Sequence, residues 1–503
     1  MPASEASPAR SAFRLLAWLV AGIALFVFSN GRWIIPAAAW VAPVFLLRFL
    51  RSTRALMGLP LVSVLFLGAE AVMLYGIVPP FLGLLTYLLT SFYALLWFAP
   101  YLMDRFLVRT LRGFAATLVF QMAVVAVEYL PALAYGTWGS VAYTQYEHLP
   151  LLQIASVTGL WGVTFLVCWF GAVVNWMWEE GFAWERIRAG GAIFACVLAT
   201  ALFFGGARLA IFPPAAKTVR VAGFTGSGDA LSFYAGIERR GYKSVSEMSS
   251  ADREGLCELA RAPYDQLFER SRVEARAGAA VVLWPETMAK VPEEDEADFI
   301  ARGRELARAE RFYLLVAYSV IPRERPERAR QNKDVLFSPQ GAVLWTYLKT
   351  HPVPTSTDVP GDGIIPTADA PFARLATAIC YDMDFPNLIR QAGRKRADVM
   401  LVPAWDWREI DPLHARMAVL RAIENGFSMV RQTGEGLSIA VDYQGRVLAA
   451  MDHFTTEDRV MIAQVPARGV STIYARFGDW FAWLCIASLI AILACHVYRW
   501  RLS

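Results

Sequence analysis

Charge is what this 503-residue sequence has least of for its length. Asp, Glu, Lys and Arg make up only 18% of it, against 56% hydrophobic residues, and the mean hydropathy is positive at +0.38. So thin a polar coat cannot cover several soluble domains, and the balance is that of a membrane protein. The formal net charge is +4, and the arginines sit beside apolar stretches rather than in one basic patch, which argues against nucleic acid as a partner. Cysteine is sparse as well. Of the six, Cys168, Cys196, Cys485 and Cys495 lie inside apolar stretches, leaving Cys257 and Cys380 in polar sequence and no framework for disulfides. There is no CxxC pair, and no histidine cluster has metal-ligand spacing, so neither a metal nor another cofactor is expected. Internal repeats and low-complexity tracts are also missing.

What the chain has in abundance is long apolar runs. They recur at 13–30, 33–50, 56–78, 80–103, 113–133, 158–178 and 190–212, and once more at 477–498. Each is near the ~20 residues that a helix needs to cross hydrocarbon, so eight spans are expected. The first run follows one or two basic residues but has no small-residue cleavage site, and it reads as a retained span rather than a signal peptide. Eight spans put both termini on one side. Arg10, Arg14, Arg48, Arg51, Arg54, Arg105, Arg109, Arg112, Arg186, Arg188, Arg499 and Arg501 all fall on that side, and the opposite short loops offer little beyond Arg32. The positive-inside rule makes that side cytoplasmic. The expected organisation is a membrane domain of seven helices over 1–213, a polar domain over 214–470 outside the cytoplasm, and a last span with a short tail over 471–503. In a Gram-negative cell this means the inner membrane, with the polar domain in the periplasm.

Within the polar region apolar runs shorten to strand length. Strands are predicted at 218–224, 279–284, 312–318, 334–338, 342–347, 372–380, 398–403, 427–432 and 460–465, and amphipathic helices at 261–277, 294–309 and 412–425. This alternation predicts an α/β domain of sheets covered by helices. Residues 230–253 and 352–371 read as long loops.

Ala376 to Pro386 reads as a buried strand that ends at Cys380, followed by a polar turn and a helix starting at Pro386. That puts a thiol at the C-terminal end of a strand, where α/β folds carry their chemistry. A lone cysteine in an apolar strand is usually a small buried hydrophobe. Here, however, Glu286 closes a second apolar strand and Lys349 closes a third. A base, a cation and a thiol make a nucleophilic constellation. A thiol of pKa ~8.5 needs activation at neutral pH; Glu286 can take its proton, and Lys349 can stabilise the thiolate and then an oxyanion. His351 and His414 read as satisfied polar residues rather than ligands.

The segments Trp284-Pro285-Glu286, Lys349-Thr-His-Pro-Val-Pro and Ile379-Cys-Tyr-Asp resemble the catalytic segments of the nitrilase superfamily. That resemblance implies a four-layer αββα sandwich and a Glu286, Lys349 and Cys380 triad. Trp284 is expected at the substrate pocket, and Tyr381 and Asp382, next to Cys380, either shape that pocket and position backbone donors or serve only the turn. Tyr135-Gly-Thr-Trp-Gly-Ser-Val-Ala-Tyr-Thr-Gln and the run from Leu151 to Leu166 extend the resemblance to the apolipoprotein N-acyltransferase family, over essentially the whole chain. That implies a phospholipid acyl donor, a thioester on Cys380, and the α-amine of a diacylglyceryl-cysteine lipoprotein as acceptor, in a monomer. The chain departs from the family pattern in four places: Thr357 stands where the family has a glutamate, Asp382 follows Cys-Tyr in place of Glu, Pro403-Ala-Trp-Asp-Trp replaces an Asn-Asp-x-Trp-Phe loop, and Gly434-Glu-Gly replaces Asn-x-Gly. These leave two alternatives open, a membrane-anchored amidase or hydrolase and an acyltransferase with another amine acceptor.

Overall fold

The computed structural model describes residues 8–78, 83–214, 217–225, 230–324, 329–354 and 356–502. The chain divides into two compact units, Met1–Phe212 together with Phe477–Ser503, and Pro213–Arg476.

In the first unit every expected apolar stretch is helical: Pro8–Val27, Pro36–Ser52, Ala55–Met73, Leu84–Leu107, Leu118–Tyr135, Leu160–Glu179, Trp184–Ile211 and Trp480–Leu502. Six of these segments, all but the first two, are long and apolar enough to cross a membrane. Pro36–Ser52 has only 17 residues and carries Arg48 and Arg51. Arg51 is buried even so, because it forks onto both carboxylate oxygens of Asp104 at 2.8 and 2.7 Å. Arg48 lies over the rings of Trp18 and Trp178, at 5.4 and 5.2 Å. Carboxylate and aromatic partners are what make a guanidinium tolerable among apolar helices. The Trp184–Ile211 helix buries only Gly190, Phe194 and Gly205 and turns Ile193, Val197 and Phe203 outward, a surface suited to hydrocarbon. The turn after Leu118–Tyr135 is pinned from inside: Glu128 accepts hydrogen bonds from Ser140 Oγ at 2.7 Å, Val141 N at 2.8 Å and Thr164 Oγ1 at 2.8 Å.

The second unit is built on strands β1 (Thr218–Phe224), β2 (Val281–Leu283), β3 (Ala289–Pro292), β4 (Tyr313–Ile321), β5 (Gln331–Phe337), β6 (Val343–Leu348), β7 (Thr367–Asp369), β8 (Arg374–Thr377), β9 (Val399–Trp405), β10 (Ser428–Gly434), β11 (Leu437–Val441), β12 (Val447–Asp452) and β13 (Val460–Pro466). One sheet runs β13-β1-β2-β4-β5-β6 with β3 beside β4, and the other runs β12-β11-β10-β9-β8-β7. In the first, β1, β2 and β4 are parallel and β5 and β6 turn back; in the second, β8, β9 and β10 are parallel and β11 and β12 turn back. The topology is thus repeated although the sequence shows no repeat.

Alternation along the strands separates the faces. Ala222, Phe224, Val282, Trp284, Leu314, Val316, Val335 and Phe337 pack with Tyr264, Phe268, Phe299 and Leu306 of the Arg253–Arg276 and Glu296–Glu310 helices. The intervening Gly223 faces the second sheet, where a Cβ would stand 2.2 Å from Gln432 Oε1. Helices Pro386–Arg394 and Leu413–Asn425 pack together, the latter against β10 and β11. This is the four-layer αββα arrangement. Asp334 sits buried between the sheets, bonded to Trp345 Nε1 at 2.9 Å and Thr377 Oγ1 at 2.8 Å, and burial pushes its carboxyl up to about 7.

Two expectations need correction. Residues 230–253 are not one loop: they hold the helices Ala230–Arg239 and Val245–Ala251, and Arg253 opens a longer one. Phe233, Ile237 and Met248 pack on Leu256 and Ala260, too few apolar positions to mark a period in so polar a stretch. Ser244 and Asp252 cap the second and third helices by accepting from Glu247 N and Gly255 N. The strand predicted over 372–380 ends at Thr377, short of the turn that begins at Cys380.

Candidate active site

Two residues past β8, Ile379 is still extended, but Cys380 has φ +48° and starts a 3-10 turn, Cys380–Asp384, ahead of the Pro386–Arg394 helix. A side chain in the left-handed region is strained and persists only where its surroundings hold it. The holding group here is Asp382. Its carboxylate accepts from Ile379 N at 3.2 Å, Tyr347 OH at 2.8 Å and His351 N at 2.7 Å. One buried carboxylate therefore ties the Cys380 turn to the segment that carries Lys349.

Glu286 and Lys349 come from the first sheet and Cys380 from the second. Lys349 follows β6 directly and donates from Nζ to Glu286 Oε1 at 2.6 Å, and Asn332 Nδ2 of β5 donates to the same oxygen at 2.7 Å. The sheets are joined at this point by Glu286 N donating to Ala404 O of β9 at 3.2 Å, while Cys380 Sγ lies 3.3 Å from the next carbonyl, Trp405 O. Cys380, Glu286 and Lys349 are 4%, 4% and 3% exposed, so their charges act on one another with little water between. Burial and the neighbouring Glu286 push the Cys380 thiol up, and Lys349 and His414 pull it back part of the way. For Lys349, burial disfavours the cation, but Glu286, Cys380 and Asp382 together outweigh it and hold the ammonium charged. A thiol beside a carboxylate and a cation is a set of groups that can carry out acyl transfer.

The other expected pocket residues divide. Trp284 is fully buried in the core against Phe268, with Nε1 donating to Ser271 Oγ at 2.8 Å, so its ring lies under the first sheet. Asp382 is fully buried in the turn just described, and Tyr381 is half-buried with its ring edge-on to Phe385. Thr357 is exposed, and its neighbour Asp358 turns inward to Arg330 at 3.5 Å. Gly434 leaves room for Trp405, whose ring carbon would stand 2.6 Å from a Cβ there.

His414, expected as a satisfied polar residue, finds its partners beside Cys380. A ring nitrogen of His414, a carboxylate oxygen of Asp406 and Cys380 Sγ all lie within 4.8 Å of one another. His414 Nδ1 is 2.7 Å from Asp406 Oδ1, and Nε2 is 3.4 Å from Asp384 Oδ1. Arg431 of β10 donates to both Asp406 oxygens at 2.9 Å. The sequence held one signal for this cluster, since Asp406 belongs to Pro403-Ala-Trp-Asp-Trp, the segment that departs from the family pattern.

Comparison with known proteins places this site in context. Residues 196–474 match the family model described as carbon-nitrogen hydrolase, and residues 20–173 match the apolipoprotein N-acyltransferase N-terminal domain. The chain is 28% identical to the apolipoprotein N-acyltransferase of Geobacter metallireducens over 77% of its own length and 75% of the relative's. It is 28% identical to that of Bradyrhizobium diazoefficiens over 74% and 71%. Among solved structures, an amidase from Nesterenkonia sp. is 20% identical, with a TM-score of 0.39, over 53% of this chain and 95% of that one. The chain belongs to the carbon-nitrogen hydrolase family, and its relatives within that family are apolipoprotein N-acyltransferases.

Proposed function

We propose that this protein is an N-acyltransferase that moves a fatty acyl chain from a phospholipid, through a thioester on Cys380, to the N-terminal amine of a diacylglyceryl-cysteine apolipoprotein. The observation that carries the reading is the meeting of Glu286, Lys349 and Cys380 in a chain that also supplies six membrane-length helices and has relatives of that activity. In the first half-reaction Glu286 takes the Cys380 proton as Sγ attacks the ester carbonyl, and Lys349 stabilises the oxyanion. Collapse breaks the ester bond, and the proton on Glu286 leaves with the lysophospholipid alkoxide. In the second, the acceptor amine attacks the thioester and gives a proton to Glu286, and the thiolate regains it as the amide forms.

Complementation of a bacterium depleted of its own lipoprotein N-acyltransferase tests this reading, with mass spectrometry of a lipoprotein N-terminus. Triacylated product is expected; growth failure with only diacylated product would sink it. The departures at Thr357, Asp382 and Gly434 favour one second reading, an acyltransferase with another amine acceptor. It predicts a lipid thioester on Cys380 without triacylated lipoprotein.

The same reading sets the catalytic unit on the periplasmic face of the inner membrane, with eight spans and both termini cytoplasmic, supported by the arginine distribution. Tags at either terminus should resist protease added to the periplasmic side. Cleavage of one terminal tag alone means that a span was miscounted.

A further inference from the structure

Both ring nitrogens of His414 face a carboxylate. Nδ1 is 2.7 Å from Asp406 and Nε2 is 3.4 Å from Asp384. Arg431 Nη2 also comes within 3.1 Å of Nδ1, but it donates to Asp406 Oδ1 at 2.9 Å. A neutral imidazole carries one N–H and one lone pair, so it would aim that lone pair at an anionic oxygen; only the imidazolium suits both partners. Charge balance agrees. Asp384 from the nucleophile turn, Asp406 from the end of β9 and Arg431 from β10 sum to one net negative charge around His414, and all of these side chains are buried. The nucleophile is part of this cluster, with its sulfur within 4.8 Å of the ring and of Asp406.

We propose that His414 is a second cationic support of the nucleophile, an imidazolium clamped by Asp384 and Asp406 that holds the Cys380 thiolate in addition to Lys349. His414 acts as a positioning residue: the proton from Sγ goes to Glu286, and the imidazolium neither gains nor loses one. Asp406 is the fixed end of the clamp, because the Arg431 fork occupies both of its oxygens. The same three ligand types, Cys, His and Asp, could hold a soft divalent metal. Here Arg431 already supplies the cation that Asp406 requires, donating to both of its oxygens. The inference rests on the reading of Cys380 as nucleophile but not on which lipid or amine it serves.

Alkylation of Cys380 by iodoacetamide, followed by mass spectrometry across a pH series on the full-length protein in detergent, tests it independently of acyl transfer. His414→Gln keeps a polar side chain and removes the charge. At neutral pH its alkylation rate should fall about tenfold or more, since a cation within ~4–6 Å lowers an anion's pKa by roughly one to three units. The rate should return to the wild-type value as pH rises through the shifted thiol pKa, a recovery that a misfolded site would not give. Asp384→Asn, which weakens the clamp without removing the ring, should shift the profile in the same direction, and it carries the test if His414→Gln does not fold. An unshifted profile in these variants, or stoichiometric zinc bound to the purified wild-type protein, overturns the proposal. Shifted profiles in the variants together with a wild-type protein that yields no triacylated lipoprotein would uphold this inference and count against the acceptor reading instead.

Discussion

Cys380→Ala is expected to abolish acyl-enzyme formation completely while the protein stays folded. In the proposed mechanism Sγ is the atom on which the thioester forms, so the loss is total rather than partial. The structural cost should be small. Alanine accepts the φ of +48° at a cost similar to that of cysteine, and Asp382 still holds the turn through Ile379 N, Tyr347 and His351. What disappears is one weak contact between Sγ and Trp405 O at 3.3 Å and the volume of one buried sulfur, about 1–2 kcal/mol of stability. Intact-protein mass spectrometry after incubation with phospholipid micelles checks this. A hydroxylamine-sensitive acyl adduct on the alanine variant would end the mechanism.

Glu286→Gln and Lys349→Met should both lower acyl transfer, by roughly 10²–10⁴-fold, yet move the thiol in opposite directions. Glu286 pushes the Cys380 thiol up, so its neutral replacement releases that pressure and leaves Lys349 to favour the thiolate. Alkylation of Cys380 at neutral pH should then be faster than wild type by about tenfold, even as catalysis fails for want of a base. Lys349→Met removes the cation that pulls the thiol down, so alkylation should slow by a similar factor. This second variant is also the less stable of the two. Lys349 Nζ donates to Glu286 Oε1 at 2.6 Å inside a site almost closed to water, and removing it leaves a buried carboxylate with Asn332 as its one side-chain donor among the described residues. Breaking one side of a buried pair costs about 3–5 kcal/mol. Same-direction changes in alkylation would mean that Glu286 and Lys349 do not act on Cys380 as base and cation. Thermal unfolding of both variants, followed in the same detergent, separates the stability loss from the catalytic one.

The sequence by itself determined the parts of this protein whose physics is local. Twenty apolar residues in a row can only be a buried or lipid-facing helix, and strands such as Tyr313–Ile321 and Val399–Trp405 are legible because burial on both faces demands a nearly unbroken apolar run. Glu286, Lys349 and Cys380 stand out in the sequence as candidates because each follows an apolar stretch. What the tertiary structure decided is everything that depends on two distant segments meeting. The short helices between Ala230 and Ala251 take their apolar partners from Leu256, Ala260 and Ile321, and few residues of their own announce them. Trp284 adjoins the base in sequence, but strand alternation sends its ring into the core. His414 reads as an ordinary polar residue on an amphipathic helix until the second sheet and the nucleophile turn bring Asp406, Arg431, Asp384 and Cys380 around it. A charge's role is set by the other charges within a few ångströms once water is excluded, and that distance is a property of the folded sheets, not of spacing along the chain.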